Sequence, residues 1–207
     1  MISIEDIQKY LPQYLSSESQ DALFNELKEY PNNLDKRLYS YSLQESENIY
    51  QGDGINGIPV VNLPDTTLYK LPVVVLSNTC DVNPENPRFF KPRLLYTPIF
   101  NLDKYHRMLI NEFVKSGKYR AEAISGHVDA IKKQKITQIL FLPKGSKLEN
   151  DSVVFLDRIN NYPAGDLSFQ DIIKRRLFVL SNYGFYLFLI KLSIHFTRIR
   201  EKFDRKI

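Results

Sequence analysis

The chain of 207 residues is too short for two large domains. Its 43% hydrophobic and 13% aromatic residues suit one packed core. Its net charge of +4 at pH 7 is compatible with RNA as a partner, although ordinary soluble proteins reach the same value. The single cysteine excludes an internal disulfide, and no segment has the pattern of a secretory signal or of a membrane-spanning helix. We expect one cytoplasmic domain over residues 1–207, with no membrane partner.

Residues 1–47 are predicted to form a helical extension. Apolar residues recur at helical spacing from Ile2 to Tyr30, which predicts two short helices that end before Pro31. The polar segment Asn32–Glu47 is predicted to be a loop or an irregular edge that leads to the next element.

The first strands follow a glycine-rich turn at Gln51–Gly57. This turn has neither the spacing nor the following helix of a phosphate-binding loop. Ile58–Leu63 is predicted to be a strand. Leu71–Asp81 begins with a run of β-branched residues, which predicts a strand buried on both faces, and continues into a polar loop.

The next strand is predicted at Leu94–Phe100, where Pro98 requires an edge or a bulge. Helical spacing then predicts an insertion at about residues 102–135, interrupted near Gly117 and Gly126. The insertion separates this strand from the strands that follow it.

The remaining strands are predicted at Ile139–Leu142 and Ser152–Ile159, and the segment Phe169–Ile207 is predicted to be helical. The spacing of Leu189, Leu192 and Phe196 predicts that they lie on one buried stripe of this helix. About five short strands with a long final helix indicate a small β-barrel of the α+β class, which we place at residues 48–170 with residues 171–207 as the C-terminal helix.

Cys80 allows two interpretations. A lone cysteine is commonly a small buried apolar group. It would be a nucleophile, sensitive to iodoacetamide, if His106, His127 or His195 lay against it. A metal site would need Cys80, Asp81 and a histidine, but the sequence has no typical metal-ligand spacing, so we predict no metal and no cofactor.

Three segments together resemble the MazF/PemK toxin family, whose fold is a small SH3-like barrel. They are the Gly52–Asp53 turn, the strand Leu71–Ser77 and the segment Lys147–Ile159, which reads Lys-Leu-Glu-Asn-Asp-Ser-Val-Val-Phe-Leu-Asp-Arg-Ile. The third segment is the most specific. The resemblance covers roughly residues 50–100 and 138–170.

The resemblance implies a toxin module that binds single-stranded RNA and cleaves it without a metal, forms a homodimer and is held by an antitoxin. Members that cut RNA resemble one another in an arginine just before the proline of the second strand and in a Thr or Ser at the end of the third. Here the arginine position is Leu71, with Lys70 one residue earlier, and Thr97 stands near the hydroxyl position.

Metal-free RNA cleavage needs a base, an acid and a cation that stabilises the charged phosphorane. Lys70 and Arg93 are candidates to supply the charge, and Thr97 to donate a hydrogen bond to a phosphate oxygen.

Asp157 and Arg158 are interpreted as a local ion pair, the alternative being contact with a neighbouring loop. The candidates for substrate contact are Ser77, Asn78, Cys80, Asp81 and Arg88.

The alternative function is a non-catalytic SH3-like barrel that binds protein or nucleic acid, for example in a phage-defence or regulatory system. The absence of the family arginine at Leu71 favours this alternative.

Overall fold

The described part of the chain is an α+β structure built on one antiparallel sheet. The computed structural model describes residues 37–83, 85–86, 89–117, 120–166 and 169–197, with residues 18 and 25. The strands are β1 (Tyr39–Ser40), β2 (Gly54–Asn62), β3 (Asp65–Val75), β4 (Arg93–Asn101), β5 (Ile139–Leu142), β6 (Ser152–Phe155), β7 (Asn160–Pro163) and β8 (Arg176–Leu180). The α+β class is therefore confirmed.

Five helices are described around this sheet. They are α1 (Thr79–Val82), α2 (Leu102–Lys115), α3 (Ala121–Lys132), α4 (Phe169–Arg175) and α5 (Asn182–Thr197). The pair α2 and α3 confirms the predicted helical insertion between β4 and β5. The N-terminal helices predicted before Pro31 lie outside the described residues except at residues 18 and 25, which are both helical. None of the helices in the described ranges combines the length and the apolar character needed to cross a bilayer.

The sheet has the strand order β1–β8–β2–β3–β4–β6–β5, and β7 also pairs with β4. Every described strand pair is antiparallel, and no ladder joins β1 to β5 among the described residues. The sheet is open in this sense.

The hydrophobic core lies on both faces of β3. Val73, Val74 and Val75 have no exposed surface. Val74 packs in one apolar cluster, while Val73 and Val75 pack in another. Because successive side chains of a strand point to opposite faces, this arrangement confirms that the strand is buried on both sides.

Pro98 lies in the interior of the sheet, at a point where β4 changes its neighbour. On the side away from β3, Tyr96 pairs with Asn160 of β7, and Ile99 pairs with Val154 of β6. Pro98 falls between these two pairings, where a strand tolerates a residue without an N–H donor. This break takes the place of the edge or bulge that the sequence predicted.

The Gly52–Asp53 turn has a structural role. Gly52 adopts φ +91°, and an added Cβ would lie 2.6 Å from Leu180 Cδ1. The carboxylate of Asp53 accepts the N–H of Tyr50 at 3.0 Å and pairs with Arg176, with both charged side chains fully buried. Burial raises the pKa of Asp53 to about 6, against the opposing effect of the Arg176 charge. The turn therefore joins β2 to β8.

The prediction of a continuous C-terminal helix is wrong for Arg176–Leu180, which form β8 between β1 and β2. The stripe on α5 is wrong at Phe196, which is 58% exposed, because α5 instead buries Tyr183, Phe188 and Lys191. The insertion is interrupted at Gly117, where φ is +67°, but α3 continues through Gly126.

Candidate functional site

The loop after β3 uses its polar side chains in bonds to the backbone. The Ser77 hydroxyl donates to the carbonyl of Arg93 at 3.3 Å and accepts the N–H of Leu95 at 2.8 Å. The Asn78 side chain accepts the N–H of Cys80 at 2.9 Å and caps α1. These bonds fix the end of β3 against β4. The substrate contacts of Ser77 and Asn78 stay predictions.

Cys80 and Asp81 both lie on the exposed surface of α1. Cys80 is a free thiol, so the interpretation as a buried apolar group is wrong. Within the described ranges no histidine hydrogen-bonds to Cys80, and His127 instead bonds to Tyr105. A thiol nucleophile therefore has no imidazole base beside it here. Arg88 lies outside the described residues.

Thr97 lies in the interior of the sheet. Its side chain has no exposed surface, and its hydroxyl donates to the carbonyl of Phe155 at 2.7 Å. The same carbonyl accepts the backbone N–H of Arg158 at 3.1 Å. Thr97 thus stabilises the turn after β6 through its bond to the carbonyl of Phe155. Its contact with an RNA phosphate stays a prediction, and one that requires this buried hydroxyl to become accessible.

Lys70 and Arg93 are both exposed, but they lie far apart. In the β3–β4 ladder Val73 faces Pro98. Continued three residues beyond the last pair of this ladder, the same register would put Lys70 level with Asn101, which is eight residues along β4 from Arg93. At about 3.3 Å per residue, the two cations are about 26 Å apart along the sheet. The structure therefore does not bring the three candidate catalytic residues together.

A cleft of about 480 Å³ opens between the β2–β3 hairpin and the loop from β6 to β7. Leu71, at the position of the family arginine, lines this cleft, and Lys70 does not. Pro98 and Phe100 of β4 contribute to its apolar wall. The polar residues that line the cleft are Asn62, Asp65, Tyr69, Asp157, Arg158 and Asn160.

Arg158 supplies a cation to this cleft. Its side chain is exposed, and its guanidinium carbon lies 4.5 Å from the ring centroid of Phe155 and 5.3 Å from that of Phe100. Such distances are typical of cation–π contacts. Among the described residues no carboxylate forms an ion pair with Arg158, so the predicted pair with Asp157 is wrong.

Sequence reasoning did not assign Arg158 to the site. The available signal was its position near the end of the most specific segment of the resemblance, where a predicted strand carries the charged pair Asp157–Arg158. Polar residues at the end of a buried strand often reach a site, but the sequence does not tell which loop they meet. The cleft forms only in the folded chain, where pairing of β6 with β4 brings the loop after β6 close to the β2–β3 hairpin.

Asp65 contributes a stable negative charge to the cleft. Hydrogen bonds from Thr67, first through its side chain and then through its backbone, lower the pKa of Asp65, and Tyr69 adds a smaller effect. A carboxylate with a lowered pKa is a weak proton acceptor near neutral pH. The arrangement favours binding by Arg158 more clearly than acid–base chemistry by Asp65.

No group of three His, Cys, Asp or Glu side chains in the described residues is placed to hold a metal ion. Comparison with protein-family models gives no match for this chain, and a search of curated proteins also gives none.

Proposed function

We propose that this chain is a MazF/PemK-like module that binds single-stranded RNA in the cleft beside Leu71. The observation that carries the proposal is the guanidinium of Arg158 in that cleft. The resemblance expects an arginine at position 71, and Arg158 offers the same functional group from the loop between β6 and β7. An arginine fork holds two phosphate oxygens at once, which a lysine cannot do.

Two other groups in the cleft, Tyr69 and Asn62, suit an unpaired nucleotide, whereas the carboxylates of Asp65 and Asp157 would repel its phosphate. The Tyr69 side chain is 45% exposed, so its ring is accessible for stacking on a base. Asn62 offers an exposed amide that can donate to and accept from a base edge. Arg158 can then contact the phosphate that joins two such nucleotides.

We also propose that the sheet forms an SH3-like barrel, in which the turn from β5 to β6 lies against β8 and β1 at the other end of the sheet. The N–H of Lys147, in the turn from β5 to β6, donates to the carbonyl of Leu177 in β8 at 2.9 Å. The Tyr39 hydroxyl of β1 donates to the carbonyl of Pro143 at 2.6 Å. These bonds bring the two ends of the sheet close together, which supports a barrel closed by side-chain and turn contacts.

RNA cleavage is the less supported half of the proposal. Thr97 is buried and Lys70 lies outside the cleft. Both observations favour the alternative, a non-catalytic module that binds RNA and leaves it intact. The homodimer and the antitoxin partner come from the resemblance alone and stay predictions.

Fluorescence anisotropy with labelled single-stranded RNA tests the proposal. We expect Arg158→Ala to weaken binding about tenfold and to reduce the salt slope by about 0.7, the value for one phosphate contact on a single strand. Arg158→Lys should restore the salt slope but only part of the affinity. The control is Arg107→Ala on α2, which removes an exposed arginine that does not line the cleft.

Equal affinities for the wild type and Arg158→Ala would overturn the assignment of the cleft. Incubation of the same RNA with excess protein, followed by gel electrophoresis, separates binding from cutting. Cleavage that Lys70→Ala abolishes would favour the toxin enzyme, and intact RNA at saturating protein would favour the non-catalytic module.

A further inference from the structure

The guanidinium of Arg158 lies on a framework of aromatic rings. Phe155 and Phe100, which it contacts, pack edge to face with their centroids 5.7 Å apart. A third ring, that of Tyr105 in the helical insertion, lies 5.4 Å from Phe155 at an interplanar angle of 67°. The insertion thus reaches the rings beneath Arg158 through Tyr105.

Tyr105 is itself fixed by the second inserted helix. Its hydroxyl lies 3.0 Å from Nε2 of His127 in α3. Burial lowers the pKa of His127, which favours the neutral ring, and in the tautomer protonated at Nδ1 its Nε2 accepts a hydrogen bond from the phenol. Burial also raises the pKa of Tyr105, and the charge of Arg158 opposes that effect, which agrees with their proximity.

We infer that the helical insertion holds Arg158 in the orientation that binds RNA, with Tyr105 as the positioning residue and His127 as its support. An exposed arginine loses much rotamer freedom when it binds a ligand. Rings that hold the guanidinium in advance reduce that loss, because less ordering remains for the binding step. The inference concerns the same cleft, and its effect on RNA rests on the proposed function.

A double-mutant cycle on RNA affinity tests the inference. We expect Tyr105→Ala to weaken binding about fivefold in the wild-type background, the effect of releasing one ordered side chain, and less than about twofold in the Arg158→Ala background. Phe113→Ala, an aromatic truncation on the same helix, is the control and should leave the affinity unchanged. Tyr105→Phe keeps the ring on Phe155 but loses the bond to His127, so it should recover most but not all of the binding.

A second readout does not depend on RNA. The Nε–Hε resonance of Arg158 in a two-dimensional NMR spectrum should be shifted upfield by the rings of Phe155 and Phe100. We expect Tyr105→Ala to move this resonance towards its random-coil position and Tyr105→Phe to move it by a smaller amount, whereas Phe113→Ala leaves it near the wild-type value. A general loss of stability would change many resonances, and a positioning role changes this one selectively.

Two results would overturn the inference. One is an equal loss of affinity from Tyr105→Ala with and without Arg158, and the other is an Arg158 resonance that does not respond to Tyr105→Ala. If the wild type binds no RNA, the proposed function fails, and the NMR measurement alone then decides whether Tyr105 positions Arg158. If Tyr105→Ala does not fold, Tyr105→Leu takes its place in both measurements.

Discussion

Arg176 and Asp53 form an ion pair in which Nη2 of the arginine lies 3.1 Å from Oδ2 of the aspartate and neither side chain is exposed. The guanidinium also donates to backbone carbonyls of the loop before β2, including that of Gln44 at 3.0 Å. Removal of one partner from a buried pair leaves the other charge without compensation. Arg176 therefore joins β8 both to Asp53 and to the loop before β2.

We expect Arg176→Ala to lower the free energy of unfolding by about 3–5 kcal/mol in urea denaturation. The neighbouring Arg175 provides a matched control, because it pairs with Asp171 at 3.8 Å on the surface and is 41% exposed. Arg175→Ala should cost less than about 1 kcal/mol. Similar losses for the two variants would contradict the structural role of the buried pair.

Lys191 makes stability depend on pH. Its amino group donates to the carbonyl of Gln134 at 2.6 Å, and burial lowers its pKa from 10.5 to about 8. Between these two values the unfolded chain binds more protons than the folded chain, so stability rises with pH. We expect a rise of roughly 3 kcal/mol between pH 8 and pH 10.5 from this group. The rise should be complete above pH 10.5, the pKa of Lys191 in the unfolded chain, and absent below about pH 8.

Urea denaturation of the wild type and of Lys191→Met at several pH values isolates this effect. The difference between their unfolding free energies should change across that interval with a slope of up to about 1.4 kcal/mol per pH unit. Lys174→Met, on the exposed surface of α4, is the control and should follow the wild type. Parallel curves for the wild type and Lys191→Met would show that Lys191 keeps its ordinary pKa.

Much of the sheet could be predicted from local sequence. The run Val73–Val75 indicates a strand buried on both faces, and the structure confirms it. The strand β8 could not be predicted in this way, because Arg176–Leu180 continues an apolar pattern that also fits a helix. The pairing of Arg176 with Asp53, 123 residues away, is part of the tertiary environment that favours the strand.

The site was less predictable than the fold for the same reason. Leu71, the position at which the resemblance expects an arginine, lines the cleft. The cation comes from Arg158, and one of its two ring contacts comes from Phe100, which is distant from it in sequence. Periodicity describes which face of an element is apolar, but it does not tell which charged side chain crosses to another element.

Two helical glycines offer opposite tests of packing. An added Cβ at Gly184 in α5 would lie 2.2 Å from the carbonyl oxygen of Leu38, whereas at Gly126 in α3 it would meet no atom within 4 Å. Alanine is favoured over glycine in a helix by about 0.5–1 kcal/mol. We therefore expect Gly126→Ala to stabilise the protein by that amount.

Gly184→Ala should have the opposite sign, with a loss of about 1–3 kcal/mol, because the backbone of Leu38 must shift to accept the methyl group. Thermal denaturation of the two variants beside the wild type provides the measurement. A gain in stability for Gly184→Ala would show that the close approach of α5 to Leu38 does not persist in solution.

Substitutions of Thr97 distinguish two possible roles of its hydroxyl, support of the cleft and direct contact with RNA. Its hydroxyl donates to the carbonyl of Phe155, which also accepts the N–H of Arg158. We expect Thr97→Val to lower the free energy of unfolding by about 1 kcal/mol through loss of this bond, and Thr97→Ser to preserve the bond. Because the hydroxyl is buried, neither variant should weaken RNA binding by more than about threefold, a change of less than 1 kcal/mol.

The measurements are urea denaturation and RNA anisotropy on the same protein preparations. If Thr97 instead contacts a phosphate, Thr97→Val should leave stability near that of the wild type and weaken RNA binding by about tenfold, the effect of a lost hydrogen bond to a charged group. The two roles of Thr97 thus predict opposite patterns in the two measurements, and Thr97→Ser should resemble the wild type under either role.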